Sequence, residues 1–149
     1  MLQKLRRRLQ EEQGFTLIEL LVVILIIAIL AAVAIPTFLN QRGKAYDSNA
    51  QTMVKNMQTA EETYATNNNG TYTSNLSDLT SIDPSIQSNA GVNPSVVSAN
   101  GTNGYTVAAT ATQTGDSFTI TMNNGQETLT CSAGTGGGKP GACPSSGTW

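Results

Sequence analysis

Few side chains in this sequence are suited to catalysis or metal binding. The chain contains ten carboxylates, two cysteines and no histidine. The missing histidine removes the most frequent acid–base group and metal ligand, and two cysteines cannot complete a four-sulfur zinc site. The sequence also has no nucleophile–base pair and no phosphate-binding loop. We therefore predict that the protein is not an enzyme and that it holds no metal or cofactor.

One carboxylate, Glu19, has an unusual position because it lies near the start of a long apolar segment. From Phe15 to Ile35, 19 of 21 residues are apolar, and the exceptions are Thr16 and Glu19. A helix of that length spans about 31 Å, close to the hydrocarbon thickness of a bilayer. An unpaired carboxylate there costs about 2.5–3.5 kcal/mol. Glu19 therefore needs either a polar partner or a position near the lipid headgroups.

The charges that flank the apolar segment predict its orientation in a membrane. Four basic residues lie among the first fourteen residues, and only Arg42 and Lys44 follow nearby. The basic flank stays in the cytoplasm, so we expect the N terminus inside and the rest of the chain outside. A cleaved signal peptide, cut after Ala32-Val33-Ala34, and a plain membrane anchor are alternatives, but neither explains Glu19.

The residues Gly14-Phe15-Thr16-Leu17-Ile18-Glu19 resemble the processing site of the type IV pilin superfamily. The resemblance runs from about Lys4 to Tyr64 and includes the short basic leader and the apolar helix behind it. It implies that a prepilin peptidase cleaves after Gly14 and methylates the new N-terminal amine of Phe15. Methylation would keep the positive charge of that amine.

Glu19 would then have a partner in an assembly of parallel helices. The carboxylate of Glu19 in one subunit would meet the Phe15 amine of its neighbour. Leaving either charge unpaired in an apolar core costs several kcal/mol, so the pair would select one axial register between otherwise uniform helices. The resemblance assigns the same role to Glu19. The alternative is that Glu19 reaches the lipid headgroups.

Beyond the apolar segment, the sequence predicts that the helix continues with one apolar face. Pro36 lacks a backbone donor and clashes with the preceding turn, so we predict a kink there. Apolar residues then recur at intervals of four and three, which is typical of one helix face. These residues are Tyr46, Ala50, Met53, Met57, Ala60 and Tyr64. We expect this face to pack on the rest of the domain and the helix to end in the run 66–70.

The polar second half of the chain predicts a small antiparallel sheet. From Thr66 to Trp149, 48 of 84 residues are Ser, Thr, Asn or Gly. We expect a loop through 71–79, turns at Asp83-Pro84 and Asn93-Pro94, and strands over 105–111, 118–122 and 126–131. The expected hairpin turn is 123–125.

The predicted fold is therefore α+β, with a long N-terminal helix packed on a small sheet, as in pilins. We expect a leader at 1–14, an apolar helix at 15–36, an amphipathic helix at 37–66, and a loop with a β domain at 67–149.

Cys131 and Cys143 enclose a glycine-rich segment near the C terminus. In an exported protein such a pair predicts a disulfide, and the resemblance to pilins implies the same, because pilins often carry a disulfide in this region. Two free thiols are the alternative. A calcium site that includes Asp78, Asp83 or Asp116 lacks the spacing of a metal loop. Lys139 by itself does not make a DNA-binding patch.

These observations favour a structural subunit of a type IV pilus, a surface filament for adhesion, twitching motility or DNA uptake. The resemblance implies as partners further copies of the chain, a prepilin peptidase, an inner-membrane assembly platform with its ATPase, and possible minor pilins. We expect the precursor in the cytoplasmic membrane and the assembled subunit at the cell surface. A pseudopilin of a secretion or competence system and a membrane-tethered binding module are the alternatives.

Overall fold

The computed structural model describes residues 15–89, 91–134 and 141–149. Its elements are helix α1 (Leu17–Asn67), helix α2 (Leu76–Ile82) and strands β1 (Val92–Ala99), β2 (Gly104–Ala111), β3 (Ser117–Asn123) and β4 (Gln126–Ser132). The chain divides into two compact units at the boundary between Phe38 and Leu39. The α+β fold class is confirmed.

The first unit contains the apolar part of α1. None of the most apolar window of this helix is buried, and the helix is long and apolar enough to cross a membrane. The helix assignment continues across Pro36, and the Thr37 hydroxyl donates to the Val33 carbonyl at 3.0 Å. The kink at Pro36 stays a prediction.

In the second unit, the rest of α1 contributes the predicted apolar face to the core. Ala50, Met53, Met57 and Ala60 are buried, and Tyr46 and Tyr64 are half-buried. The core also contains side chains from the sheet, from α2 and from the connection that follows α2. The largest of them are Tyr105, Phe118, Ile120, Leu79 and Ile86. The α1 helix ends at Asn67, and Asn69 and Gly70 then take positive φ angles of 54° and 80°, as the Asn-rich run predicts.

The four strands form an antiparallel sheet in the order β1-β2-β3-β4. The strands predicted over 105–111 and 118–122 are confirmed as β2 and β3, and their alternate residues Tyr105, Val107, Phe118 and Ile120 are buried. The β3–β4 hairpin closes with Asn123 paired to Gln126. The two turn residues, Asn124 and Gly125, have φ angles of 49° and 79°, the left-handed pair that a type I′ turn requires.

Two predictions for the region before β2 were wrong. Leu76–Leu79 does not lie in a loop, because Leu76–Ile82 forms α2 and Leu79 is fully buried. Asn93-Pro94 does not make a turn, because both residues lie in β1, where Pro94 pairs with Ala109. Proline is tolerated there because β1 is an edge strand, which has one side without a ladder partner. Asp83-Pro84 does lie at a turn, as predicted.

Candidate functional site

The start of α1 brings Thr16 and Glu19 together. The Glu19 carboxylate accepts hydrogen bonds from the Thr16 N–H at 2.9 Å and from the Thr16 hydroxyl at 2.8 Å. In return the Glu19 N–H donates to the Thr16 hydroxyl at 3.3 Å. This reciprocal pair is a capping box, which satisfies two amides that a helix leaves open at its first turn. The capping box was not among the predictions, although the pattern Thr-x-x-Glu ahead of an apolar run is its sequence signature.

The capping box gives Glu19 a polar partner within its own chain. Both hydrogen bonds from Thr16 end on the same oxygen, Oε2. Phe15, the predicted new N terminus, is 82% exposed, and Gly14 lies outside the described residues. Neither the pair between Glu19 and a neighbouring Phe15 nor cleavage after Gly14 is tested by a single chain, so both stay predictions.

The apolar part of α1 is a continuous exposed apolar surface. All Leu, Ile, Val and Phe side chains from Leu17 to Leu39 are exposed, each with at least 43% of its surface accessible. Exposed apolar surfaces larger than a few hundred Å² mark protein or membrane interfaces. This surface therefore needs lipid or other apolar helices around it.

At the other end of the chain, the predicted disulfide between Cys131 and Cys143 is present, with the two Cα atoms 5.7 Å apart. Residues after it also contact the sheet. The Cys131 N–H donates to the Gly147 carbonyl at 2.8 Å, and the Trp149 indole N–H donates to the Thr130 carbonyl at 2.9 Å. The Trp149 ring meets Phe118 edge-on, with the ring centroids 5.6 Å apart.

Two acidic residues of α1, Asp47 and Glu61, are fully buried. Neither residue is apolar, so neither belongs to the apolar series from Tyr46 to Tyr64. Their spacing contains a signal that could have placed them, because 47, 50, 54, 57 and 61 follow the same intervals of three and four as the apolar face. Because both side chains are acidic, a search for apolar residues alone does not assign them to the buried face.

Asp47 lies beside a third buried carboxylate, Asp116. The pKa of Asp47 is raised, mainly by burial and further by the charge of Asp116, while hydrogen bonds from Thr114 and the Ala142 amide oppose the rise. Glu61 is near Glu62 and Asp78, and burial raises its pKa to about 7. Tyr72 and Tyr105 donate their hydroxyl hydrogens to Glu62.

The three aspartates considered for calcium lie in separate hydrogen-bonded positions. Asp78 accepts from the Thr73 hydroxyl at 2.6 Å, and Asp83 accepts from the Ser85 amide at 2.9 Å. Asp116 accepts from the amides of Gly134 and Cys143. Within residues 15–89, 91–134 and 141–149, no group of three or more His, Cys, Asp or Glu side chains could hold a metal ion.

Comparisons with known proteins agree with the N-terminal features. The model of the prokaryotic N-terminal methylation motif matches residues 10–35. The type IV wide pilus major component PilA4 of Thermus thermophilus is 46% identical over 74 residues, which are 50% of this chain and 56% of that protein. The type IV major pilin PilA of Myxococcus xanthus is 46% identical over 52 residues, 35% of this chain and 24% of that protein.

A third relative, the type IV major fimbrial protein FimA of Dichelobacter nodosus, is 46% identical over 52 residues, 35% of this chain and 33% of that protein. The chain thus spans about half the length of the Thermus relative and a third or less of the others. No solved structure gives a significant match. The resemblance to the type IV pilin superfamily is therefore confirmed, and the chain carries the N-terminal methylation motif of that superfamily.

Proposed function

We propose that the chain is a structural subunit of a type IV pilus, made as a membrane-bound precursor and polymerised into a surface filament. The observation that carries this proposal is the exposed apolar surface of α1, most of which lies within the matched methylation motif. One helix can use such a surface twice, first against lipid and then against other copies of the same helix. No enzymatic activity is needed in this role.

In the precursor, the N terminus faces the cytoplasm and a prepilin peptidase cleaves after Gly14. An inner-membrane platform and its ATPase then add the subunit to a helical filament, which minor pilins can complete. The second unit of the chain, with its Thr-rich strands, faces solvent. Adhesion, motility and DNA uptake are all compatible with such a filament.

The test of this proposal is to shear filaments from cells, image them, and sequence the N terminus of the purified subunit. We expect fibres whose subunit begins at N-methylated Phe15. A subunit that begins at Ile35, or one recovered only as membrane-bound monomers, would contradict the proposal. A pseudopilin would instead give cleaved and methylated subunits without abundant surface fibres.

We further propose that the Glu19 carboxylate pairs with the Phe15 amine of a neighbouring subunit and so fixes the axial register. The capping box supports this role because Thr16 holds one oxygen of Glu19 at the very start of the helix. The second oxygen has no bond to Thr16 and is the one that would meet the neighbouring amine. A charge-assisted hydrogen bond of this kind is about twice as strong as a neutral one.

Three variants separate the charge of Glu19 from its capping role. Glu19→Gln keeps an acceptor for Thr16 and removes the charge, Glu19→Ala removes both, and Thr16→Ala removes the cap while it keeps the charge. We expect both Glu19 variants to insert into the membrane normally and to assemble poorly, and Thr16→Ala to assemble better than either. Filaments of Glu19→Gln with normal abundance and unchanged helical symmetry would refute the pairing.

A further inference from the structure

Two buried carboxylates from different elements bind the described parts of the C-terminal disulfide segment, residues 131–134 and 141–143. Asp47 comes from α1 and is fully buried, and Asp116 comes from the connection between β2 and β3 and is 3% exposed. Their position under the disulfide segment suggests a role in docking it.

All four carboxylate oxygens accept hydrogen bonds. Asp47 accepts from the Thr114 hydroxyl through Oδ1 and from the Ala142 amide at 2.5 Å through Oδ2. Asp116 accepts from the Gly134 amide at 2.9 Å through Oδ1 and from the Cys143 amide at 3.2 Å through Oδ2. Three of the four donors are backbone amides of the disulfide segment. The carboxylates therefore bind it both at Gly134 and at Ala142 and Cys143.

The two carboxylates also converge on one point. A Cβ atom added to Gly141 would overlap Oδ2 of Asp116 and would crowd Oδ2 of Asp47. Only glycine fits there, and the two oxygens lie side by side beneath its backbone. Two adjacent buried carboxylates cannot both ionise easily, because each negative charge opposes the other in a medium of low dielectric constant.

The described surroundings supply little positive charge to relieve this repulsion. Residues 141–149 and 131–134 carry no charged side chain, and Asp116 is the only one in the β2–β3 connection 112–116. On α1 the basic side chains nearest to Asp47 in sequence are Lys44, which is exposed, and Arg42, which donates to the Tyr46 hydroxyl at 2.9 Å. A proton bound by the two carboxylates is the simplest positive charge that can relieve the repulsion between them.

We propose that Asp47 and Asp116 form a proton-dependent latch, in which one shared proton holds the disulfide segment on α1 and its loss weakens the docking. The direction of the response follows from the raised pKa of Asp47. The docked state binds the proton more tightly than an undocked state, where Asp47 would have its ordinary pKa. Docking therefore strengthens as the pH falls from the raised pKa of Asp47 towards the ordinary aspartate pKa. It weakens as the pH rises through the same range.

Release of the latch would open the segment locally and leave the domain folded. The disulfide still joins Cys143 to β4, and Trp149 still packs on Phe118. Local openings of this kind have a smaller free energy than global unfolding. The response would therefore be confined to the segment around Gly141, Ala142 and Cys143.

The experiment is a carbon-13 NMR titration of the aspartate carboxyl groups in the full chain in detergent micelles. The sequence has only four aspartates, so the signals are few. We expect the signal of Asp47 to titrate above the ordinary aspartate value. Titration of Asp47 in one step at the ordinary value would overturn the proposal.

Amide hydrogen exchange in variants tests the consequence for docking. For the wild-type chain, we expect protection of the Ala142 amide to fall as the pH rises from mildly acidic to alkaline, as the raised pKa of Asp47 requires. Asp47→Asn imitates the protonated form, so its protection should not change with pH. Asp47→Ala should lose protection at every pH, and Asp83→Asn, which changes an aspartate outside the latch, should behave as wild type.

Protection of Ile120 in β3 serves as the control for folding in every variant. If Asp47→Ala does not fold, Asp116→Asn supplies the second test: it removes the charge that Asp47 faces, so the pH dependence of Ala142 protection should weaken, and an unchanged dependence would overturn the latch. A pH dependence that persists in Asp47→Asn, or an Ala142 amide that stays protected in Asp47→Ala, would overturn the latch.

Discussion

Burial of Glu61 makes the stability of the second unit depend on pH. The side chain is fully buried, its Oε2 accepts the Thr73 amide at 3.1 Å, and its Oε1 has no hydrogen-bond partner among the described residues. Burial first, and then the charges of Glu62 and Asp78, raise its pKa from 4.5 to about 7. The folded state therefore holds a proton on Glu61 more tightly than the unfolded state does.

The sign of the effect follows from proton linkage. Between pH 4.5 and about 7 the folded chain binds more protons at Glu61 than the unfolded chain. The free energy of unfolding therefore falls as the pH rises through this window, and it levels off above and below it. The full shift corresponds to about 3.4 kcal/mol. Allowing for solvent screening, we expect a loss of about 2 kcal/mol between pH 5 and pH 8.

Glu61→Gln removes the charge and keeps an oxygen that can accept the Thr73 amide. We expect this variant to be more stable than wild type by about 1–2 kcal/mol at pH 8 and to have no advantage at pH 5, because the new amide N–H₂ group also needs a partner. The measurement is urea unfolding of the full chain in detergent micelles, followed by the fluorescence of Trp149.

The control variant is Glu127→Gln, which changes an exposed carboxylate on β4 that accepts from the Gln58 side chain. Asp47 contributes a pH dependence of the same sign, so the informative quantity is the difference between the Glu61 variant and wild type. A variant that is less stable than wild type at pH 8, or a difference that is the same at both pH values, would refute the reasoning.

Three further predictions follow from contacts in the second unit. Replacing both Cys131 and Cys143 by Ser should lower the free energy of unfolding by about 3 kcal/mol, measured by urea unfolding, since the disulfide closes a loop of 12 residues; an unchanged midpoint would contradict this. A Cβ at Gly104 would overlap the Met122 carbonyl, so Gly104→Ala should lower the melting temperature far more than the control Gly91→Ala, where the nearest atom is 3.4 Å away. Leu79→Ala should cost about 2–5 kcal/mol because Leu79 is fully buried, whereas an effect below about 1 kcal/mol would show that α2 is not part of the core.

The parts of the fold that the sequence predicts are those in which side-chain periodicity is strong. The apolar face of α1 and the alternation in β2 and β3 give clear signals because their apolar residues repeat along a helix or a strand. The β3–β4 turn is also predictable, since Asn124 and Gly125 both tolerate positive φ.

The missed elements have weak local signals and depend on tertiary contacts. Helix α2 is seven residues long and contains Ser and Thr, so its few apolar residues show no clear period. Strand β1 contains Pro94, which locally resembles a turn and becomes a strand residue because β2 pairs with it. Asp47 and Glu61 have the right spacing for the core, but burial of a carboxylate depends on donors that come from distant parts of the chain.

The two outermost strands of the sheet are poor templates for another strand. In β1, Pro94 has no amide hydrogen to donate, and the pairing with β2 shifts register between Val96 and Ser98. In β4, the Cys131 N–H donates to the Gly147 carbonyl and so does not offer a hydrogen bond to another strand. Interruptions of this kind keep sheets from joining edge to edge when many copies are crowded together. In the proposed filament, closely packed domains would therefore remain separate folded bodies.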